Sequence, residues 1–236
     1  MRVLFLFLGL LLACSEAEPQ EPLVGPDPSP EPDIAIDLDS IERVIGQKEM
    51  KILFIGNSLT YYNNMPLMVE QEGTRAKVST GTTMVAEPGY AIVDHWNFSQ
   101  LTQTLIKSEL YDYVVIQQGP SSQEEGRRLL IEGGRKYAEL SAKHGAKLAY
   151  FMVWPAKEYY HTFDAVIANH KEAATVNQAL LCPVGEKWKA YVDRTGLEHY
   201  YSGDQFHPSP LGSQLAASVI FEVLNADRMA AQKREN

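Results

Sequence analysis

Two short stretches of the chain pair residue types that do chemistry together. Ser58 stands in Gly56-Asn57-Ser58-Leu59-Thr60, directly after an apolar run, and His207 stands in Asp204-Gln205-Phe206-His207-Pro208 near the other end. A serine hydroxyl becomes a nucleophile when an imidazole takes its proton. A carboxylate three residues before that imidazole, in a tight turn, reaches the other ring nitrogen and fixes the tautomer. Ser58, His207 and Asp204 are therefore the candidate nucleophile, base and orienting acid. The same residues also fit a plainer role: Gly-Asn-Ser as a turn with a helix N-cap, Asp204 and His207 as turn and cap residues. The first stretch is not a nucleotide loop, since it has neither the dinucleotide glycine spacing nor the terminal Lys-Ser/Thr of a phosphate loop. Among the other histidines, His144 closes a charged helix, and His161 and His170 lie in polar stretches expected to face solvent.

These residues need elements to position them. Strand-length apolar runs occur at Ile52–Ile55, Val78–Val85, Tyr113–Ile116, Leu148–Val153 and around His199-Tyr200-Tyr201. Between them, residues 65–75, 91–108, 123–144, 162–180 and 184–195 place apolar side chains at helical spacings, and Leu211–Leu224 reads as a closing amphipathic helix. Strand and helix alternating in this way predict an α/β fold, a three-layer α/β/α sandwich around a five-stranded parallel sheet of the flavodoxin-like kind. Functional residues in such folds gather beyond the carboxyl ends of the strands, which is where Ser58 falls. The ordered domain is expected over residues 34–236 with its core at about 51–225, and residues 34–50 scatter apolar side chains as a short helix on the domain would.

Gly56-Asn57-Ser58, the isolated glycine of Glu87-Pro88-Gly89-Tyr90 and the terminal Asp204-Gln205-Phe206-His207-Pro208 resemble, in order and spacing, the blocks of the SGNH/GDSL hydrolase superfamily. The resemblance spans about residues 51–225. It implies a serine esterase with Ser58 as nucleophile, His207 as general base and then acid, and Asp204 orienting His207. It implies backbone amides of Ser58 and Gly89 as oxyanion donors, and no metal or organic cofactor. One block departs from the pattern. Where the family places Gly-x-Asn-Asp, this chain reads Gln117-Gln118-Gly119-Pro120-Ser121-Ser122. The Gln-Gly pair looks like a variant block of some carbohydrate-ester relatives, so Gln118 is the favoured third donor and Ser121 the second choice. The missing Asn also leaves room for a surface-anchored carbohydrate-binding or adaptor protein of the same fold that has weak turnover or none.

The first residues carry a different message. Met1-Arg2 and the apolar run Val3–Leu12 read as an export signal, and Leu11-Leu12-Ala13-Cys14 resembles a bacterial lipobox, which makes residues 1–13 a lipoprotein signal peptide and Cys14 the lipid attachment point. Residues 14–33 hold six prolines and six acids with no Lys or Arg, the composition of an extended tether. The expected location is the bacterial cell envelope, lipid-anchored, with the outer membrane favoured because Ser15 is not an inner-membrane retention signal. Cys182, the other cysteine, sits among apolar neighbours as a buried, inert thiol would. The net charge of −9 argues against nucleic acid as partner. From Lys51 onward, however, 18 basic residues face 20 acidic ones, so most of the acidity belongs to the tether and says little about substrate. Trp154, Tyr159, Tyr160, His161 and Phe163 after the fourth strand form an aromatic-rich loop suited to sugar rings or acyl chains, and core packing accounts for such a cluster at least as well. The expected substrate is a small ester or an acylated carbohydrate.

Overall fold

The computed structural model describes residues 37–235. The expected signal peptide, the expected lipid-attachment residue Cys14 and the expected tether lie outside the described residues. The described chain opens with α1 (Leu38–Ile45), which Asp37 caps by accepting the Ser40 N–H at 3.0 Å. Five strands follow in the chain: β1 (Met50–Gly56), β2 (Thr80–Ala86), β3 (Tyr113–Ile116), β4 (Lys147–Phe151) and β5 (Leu180–Cys182). All pair in parallel, in the order β2-β1-β3-β4-β5. The chain thus starts near the middle of the sheet, builds outward to one edge, and crosses back to build the other, which leaves a crevice at the carboxyl ends of β1 and β3.

The period of two along the strands sorts the core into two halves. Ile52 and Phe54 of β1, Val115 of β3 and Phe151 of β4 pack on one face with Val69 of α3 (Met65–Arg75), Trp188 of α8 (Val184–Thr195) and Ile220 of α9 (Pro210–Glu235). Leu53, Ile55, Val114, Ile116 and Tyr150 pack on the other face. There they meet Ile92 of α4 (Ile92–Phe98), Leu105 of α5 (Leu101–Lys107), Tyr137 of α6 (Glu124–Lys143) and Ala173 of α7 (Phe163–Val176). Every residue of β1 except Lys51 is buried, as a central parallel strand covered on both faces requires. The three-layer sandwich read from the sequence is the observed architecture.

Three expectations need correction. The fifth strand is Leu180–Cys182 and not the run around His199-Tyr201. Helix α7 ends at Val176, Gln178 turns left-handed with φ 50°, and only Ala179, Leu180, Leu181 and Cys182 remain before Pro183, so the three-residue strand is too short to separate from the helical pattern before it. Tyr201 instead makes an isolated antiparallel bridge to Pro208, which closes the loop carrying Asp204. The helical stretch 91–108 is two helices, broken where Ser99 turns extended and its hydroxyl accepts the Leu101 N–H at 3.2 Å. Third, His170 does not face solvent. It is fully buried on α7, with Nδ1 bonded to the Val166 carbonyl at 2.8 Å, and burial lowers its pKa to about 4.

Candidate active site

Strand β1 ends at Gly56, and the chain turns at once into the single-turn helix α2 (Ser58–Tyr61). Asn57 caps this turn: its Oδ1 accepts the Leu59 N–H at 3.1 Å, and its Nδ2 donates to the Tyr90 carbonyl at 2.9 Å. The N-cap reading is therefore realised, but by Asn57, which leaves the Ser58 hydroxyl available. Gln117, at the carboxyl end of β3, holds the turn from beneath. Its Oε1 accepts both the Asn57 N–H at 3.0 Å and the Thr60 hydroxyl at 2.8 Å. A Cβ on Gly56 would lie 2.6 Å from that Gln117 oxygen and 2.4 Å from Thr60 Oγ1, so only glycine admits this close approach. The Gly56 carbonyl accepts from the Glu87 N–H at 3.1 Å and from His95 Nε2 at 2.7 Å. Burial lowers the pKa of His95, which stays neutral with its proton on Nε2.

The opposite member of the site is the loop Ser202–Pro208. The Ser202 N–H donates to the His207 carbonyl at 2.8 Å, and Gln205 turns left-handed with φ 62°. Inside this loop Asp204 is surrounded by donors. Its Oδ1 accepts from the Ser202 hydroxyl at 2.6 Å, the Phe206 N–H at 3.0 Å and the His207 N–H at 2.9 Å, while its Oδ2 faces His207 Nδ1 at 2.6 Å. These donors, the Ser202 hydroxyl foremost, hold the carboxyl well below the usual carboxylate range. An ionised Asp204 can only accept, so Nδ1 of His207 carries the proton and Nε2 turns its lone pair toward Ser58 Oγ, 2.9 Å away. Two bonds from the segment after β4 fix the loop: Trp154 Nε1 to the Phe206 carbonyl at 3.0 Å, and the Lys157 N–H to the Gln205 carbonyl at 2.9 Å. Ser209 and Pro210 then start α9, with Ser209 Oγ accepting the Gly212 N–H at 3.1 Å. The structure thus brings Ser58, His207 and Asp204 into one hydrogen-bonded line.

Ser58 opens on a cavity of about 350 Å³ bordered by Gly89, Gln118, Pro120 and Phe206. Glu87-Pro88-Gly89-Tyr90 is a turn closed by the Tyr90 N–H on the Glu87 carbonyl at 3.3 Å, and Gly89 takes φ 74° there, the conformation that favours glycine at the third position. Gly89 and Ser58 both line this cavity, and the Ser58 amide, at the first position of its helical turn, has no acceptor inside that turn. Gln118 also borders the cavity, yet both hydrogens of its Nε2 point elsewhere, to Ser121 Oγ at 2.8 Å and the Gly126 carbonyl at 3.2 Å. In this arrangement it offers no side-chain N–H to the cavity. The Ser121 hydroxyl is engaged as well, donating to the Gly119 carbonyl at 3.0 Å. A larger cavity of about 1020 Å³ adjoins the first and shares Pro120 and Phe206 with it; Gln123, Glu158, Tyr159, His161 and Gln205 line it. The aromatic loop divides accordingly. Tyr159 and His161 reach this cavity, whereas Trp154 and Phe163 are core, Trp154 stacked on Trp188 with centroids 3.8 Å apart.

No protein-family model and no curated protein sequence matches the chain. Solved structures do. A protein of Slackia heliotrinireducens classed as an SGNH hydrolase superimposes with a TM-score of 0.65 at 26% identity, over 74% of this chain and 98% of that one. The fold is that of the SGNH/GDSL hydrolase superfamily. Two more distant SGNH-type folds agree in architecture: TesA, with a TM-score of 0.59 at 14% identity over 74% of this chain and 98% of its own, and a Clostridium thermocellum family 3 carbohydrate esterase, with 0.58 at 15% over 77% and 98%.

Several participants in this SGNH site escape the sequence blocks. Gln117 and Ser202 act through hydrogen bonds that only the fold creates. Tyr62 lies flat on His207, with ring centroids 4.2 Å apart and planes 9° from parallel. The one hint of it in the sequence is the pair Asn63-Asn64 just before Met65-Pro66, a signal of a left-handed turn entering a helix. Cys182 is fully buried and its thiol is pushed up to about 12 by burial, so it is chemically quiet.

Proposed function

We propose that this SGNH-type hydrolase cleaves carboxylic esters through an acyl-enzyme on Ser58. The observation that carries the reading is the line Ser58 Oγ, His207, Asp204, facing a cavity that Gly89 borders. His207 Nε2 takes the Ser58 proton as Oγ attacks the ester carbonyl. Asp204 keeps the proton on Nδ1 and stabilises the imidazolium. The backbone amides of Ser58 and Gly89 receive the developing oxyanion, each contributing about 3 kcal/mol to the transition state. His207 then returns its proton to the departing alcohol, and a water molecule, deprotonated by the same nitrogen, attacks the acyl-enzyme and frees Ser58.

The two cavities suggest how a substrate lies. The lobe of about 350 Å³ at Ser58 suits a small acyl group such as acetyl, and the lobe of about 1020 Å³, with Gln123, Glu158, Tyr159 and His161 on its walls, suits a bulky hydroxylated alcohol. We therefore favour deacetylation of an envelope, dietary or plant polysaccharide by a protein tethered to the membrane through lipid on Cys14. The test is hydrolysis of p-nitrophenyl acetate, butyrate and octanoate, and of an acetylated oligosaccharide, by the full chain in detergent, with Ser58→Ala beside it. The acetyl compounds should turn over fastest and Ser58→Ala should be inactive; equal rates for parent and variant would remove the assignment of Ser58. Mass spectrometry of the mature N-terminus should find diacylglycerol on Cys14, and an unmodified terminus elsewhere would refute the tether. The second reading, a carbohydrate-binding protein without turnover, draws its support from the engaged amide of Gln118, and it predicts binding of the oligosaccharide with no release of acetate.

A further inference from the structure

We propose that Tyr62 is the positioning residue of the base, and that the segment Ser58–Asn63 braces His207 against its own nucleophile. The inference rests on the esterase reading above and deepens it. Both hydrogen bonds of the imidazole lie in the plane of its ring: Nδ1 to Asp204 and Nε2 to Ser58. In-plane bonds resist sliding, but they resist tilting out of the plane only weakly. Once Ser58 has given up its proton, only the Nδ1 bond to Asp204 still opposes rotation of the ring about its Cβ–Cγ bond. A face contact supplies the missing restraint. The Tyr62 ring covers one face of His207 at 4.2 Å and 9°, while Phe206 meets the imidazole nearly edge-on at 5.1 Å and 61°. A parallel aromatic face also suits an imidazolium, because the π-cloud carries negative charge toward it.

The backbone around Tyr62 is built to hold this contact. Helix α2 stops at Tyr61, and Tyr62 leaves it with φ −57° and ψ 137°. Asn63 and Asn64 both take φ 54°, a left-handed conformation that asparagine tolerates better than most residues, and α3 begins immediately after them. This reversal directs Tyr62 toward the loop of His207, and Asn63 fastens it there. Asn63 Nδ2 donates to the carbonyl of Pro208, the residue next to His207, at 3.0 Å, and to Ser213 Oγ on α9 at 2.9 Å; the Ser213 hydroxyl in turn donates to the Tyr62 carbonyl at 3.3 Å. One short segment therefore carries the nucleophile at its start and the brace of the base at its end. The gap between Ser58 and His207 is set locally, although the two residues are 149 positions apart in sequence.

The experiment uses the full chain in detergent with p-nitrophenyl acetate, and compares the parent with Tyr62→Phe, Tyr62→Leu, Asn63→Gly and Ser58→Ala. Loss of the ring face should lower kcat about tenfold in Tyr62→Leu with KM little changed, because the ring orients the base rather than the substrate. Tyr62→Phe keeps the face and should stay within about twofold of the parent. Asn63→Gly keeps the left-handed backbone without the bridge and should lose kcat in the same sense by a smaller factor. It also serves as the second variant if Tyr62→Leu folds poorly. An independent readout is the downfield proton resonance of His207 Nδ1–H, expected to be sharp in the parent and Tyr62→Phe and broadened in Tyr62→Leu. Unchanged kcat in Tyr62→Leu, an effect confined to KM, or an equal loss in Tyr62→Phe would overturn the proposal. If Ser58→Ala turned over as fast as the parent, the esterase reading would fall, and the resonance would then decide alone: broadening in Tyr62→Leu supports the brace, an unchanged line overturns it.

Discussion

The loop Ser202–Pro208 and the segment Gln117–Ser122 both border the cavity at Ser58, and they distribute their hydrogen bonds in opposite ways. The loop is exposed, with 45% of the Asp204 side chain accessible, yet four donors surround that carboxylate. The segment is buried at both glutamines, yet Gln117 Nε2 and Gln118 Oε1 have no partner among the described residues. An exposed anion competes with water for every donor, so a fixed carboxylate needs a dense local set of them. A buried loop is held by packing and can carry an unpaired polar atom, at a cost of about 1–3 kcal/mol each. On the reading proposed above, the directional chemistry sits in the Asp204 loop, and the oxyanion falls to backbone amides rather than to the Gln118 side chain, whose N–H groups are engaged.

The largest effect should come from reversing one donor in the exposed loop. Asn in place of Asp204 can still accept from Ser202 and the two backbone amides, but its amide nitrogen can face His207 Nδ1 and favours the wrong tautomer. For Asp204→Asn, kcat should fall by about 10³–10⁴-fold with the melting temperature little changed. Steady-state kinetics with p-nitrophenyl acetate measure it, and a loss below about tenfold would place the orienting role elsewhere.

Acid should separate the two regions next. Asp204 is held ionised far below neutrality, so its loop keeps its wiring as pH falls. The buried segment leans on α7, where Asn169 Nδ2 donates to the Ser121 carbonyl at 2.7 Å and the neighbouring His170 is buried neutral with a pKa of about 4. The unfolded chain protonates this histidine near pH 6.5 and the folded chain does not until about pH 4. Between those values the unfolded state binds more protons, so stability falls as pH falls, by about 3 kcal/mol across the window. Urea unfolding at pH 7 and pH 4.5 should show this loss in the parent and much less of it in His170→Gln. An equal loss in the variant would mean that other groups carry the acid sensitivity.

A milder change tests the buried segment directly. Gln118→Ala removes two hydrogen bonds, to Ser121 and Gly126, and should cost about 1–3 kcal/mol of stability while kcat stays within a few-fold of the parent. If Gln118 instead supplied an oxyanion donor, kcat would drop by about 10²–10³-fold. Chemical denaturation and kinetics on the same preparation distinguish the two outcomes.

The same contrast explains what was legible in the sequence. The strands Ile52–Ile55 and Tyr113–Ile116 announce themselves because a central parallel strand must be apolar on both faces, and Ser58 and His207 stand out because the roles proposed for them need fixed residue types at fixed places. The three-residue strand Leu180–Cys182 was hidden by its attachment to α7, and the aromatic run His199-Tyr201 imitated a strand because it packs against Trp188, with Tyr200 and Tyr201 at 5.2 and 4.8 Å between ring centroids. His170 read as solvent-facing because its sequence neighbours Asn169 and Lys171 are polar, although helical geometry turns it inward between Val166 and Ala173. The rotamer of Gln118 could not be read at all. Residue type says that an amide can donate, and only the positions of Ser121 and Gly126 say to what.

The smallest effect should be the loss of Ser202's hydroxyl, although it is the foremost cause of Asp204's acidity. Ser202→Ala leaves the Phe206 and His207 amides and His207 Nδ1 on the carboxylate, and the loop's backbone bond from Ser202 N–H to the His207 carbonyl is untouched. Water can replace an exposed hydroxyl as donor, which it cannot do for a backbone amide built into the turn. We therefore expect kcat to fall by about two- to fivefold, with KM unchanged. A loss approaching that of Asp204→Asn would mean that the carboxylate's position, and not only its charge, hangs on this one hydroxyl, and the loop would then be far less redundant than its four donors suggest.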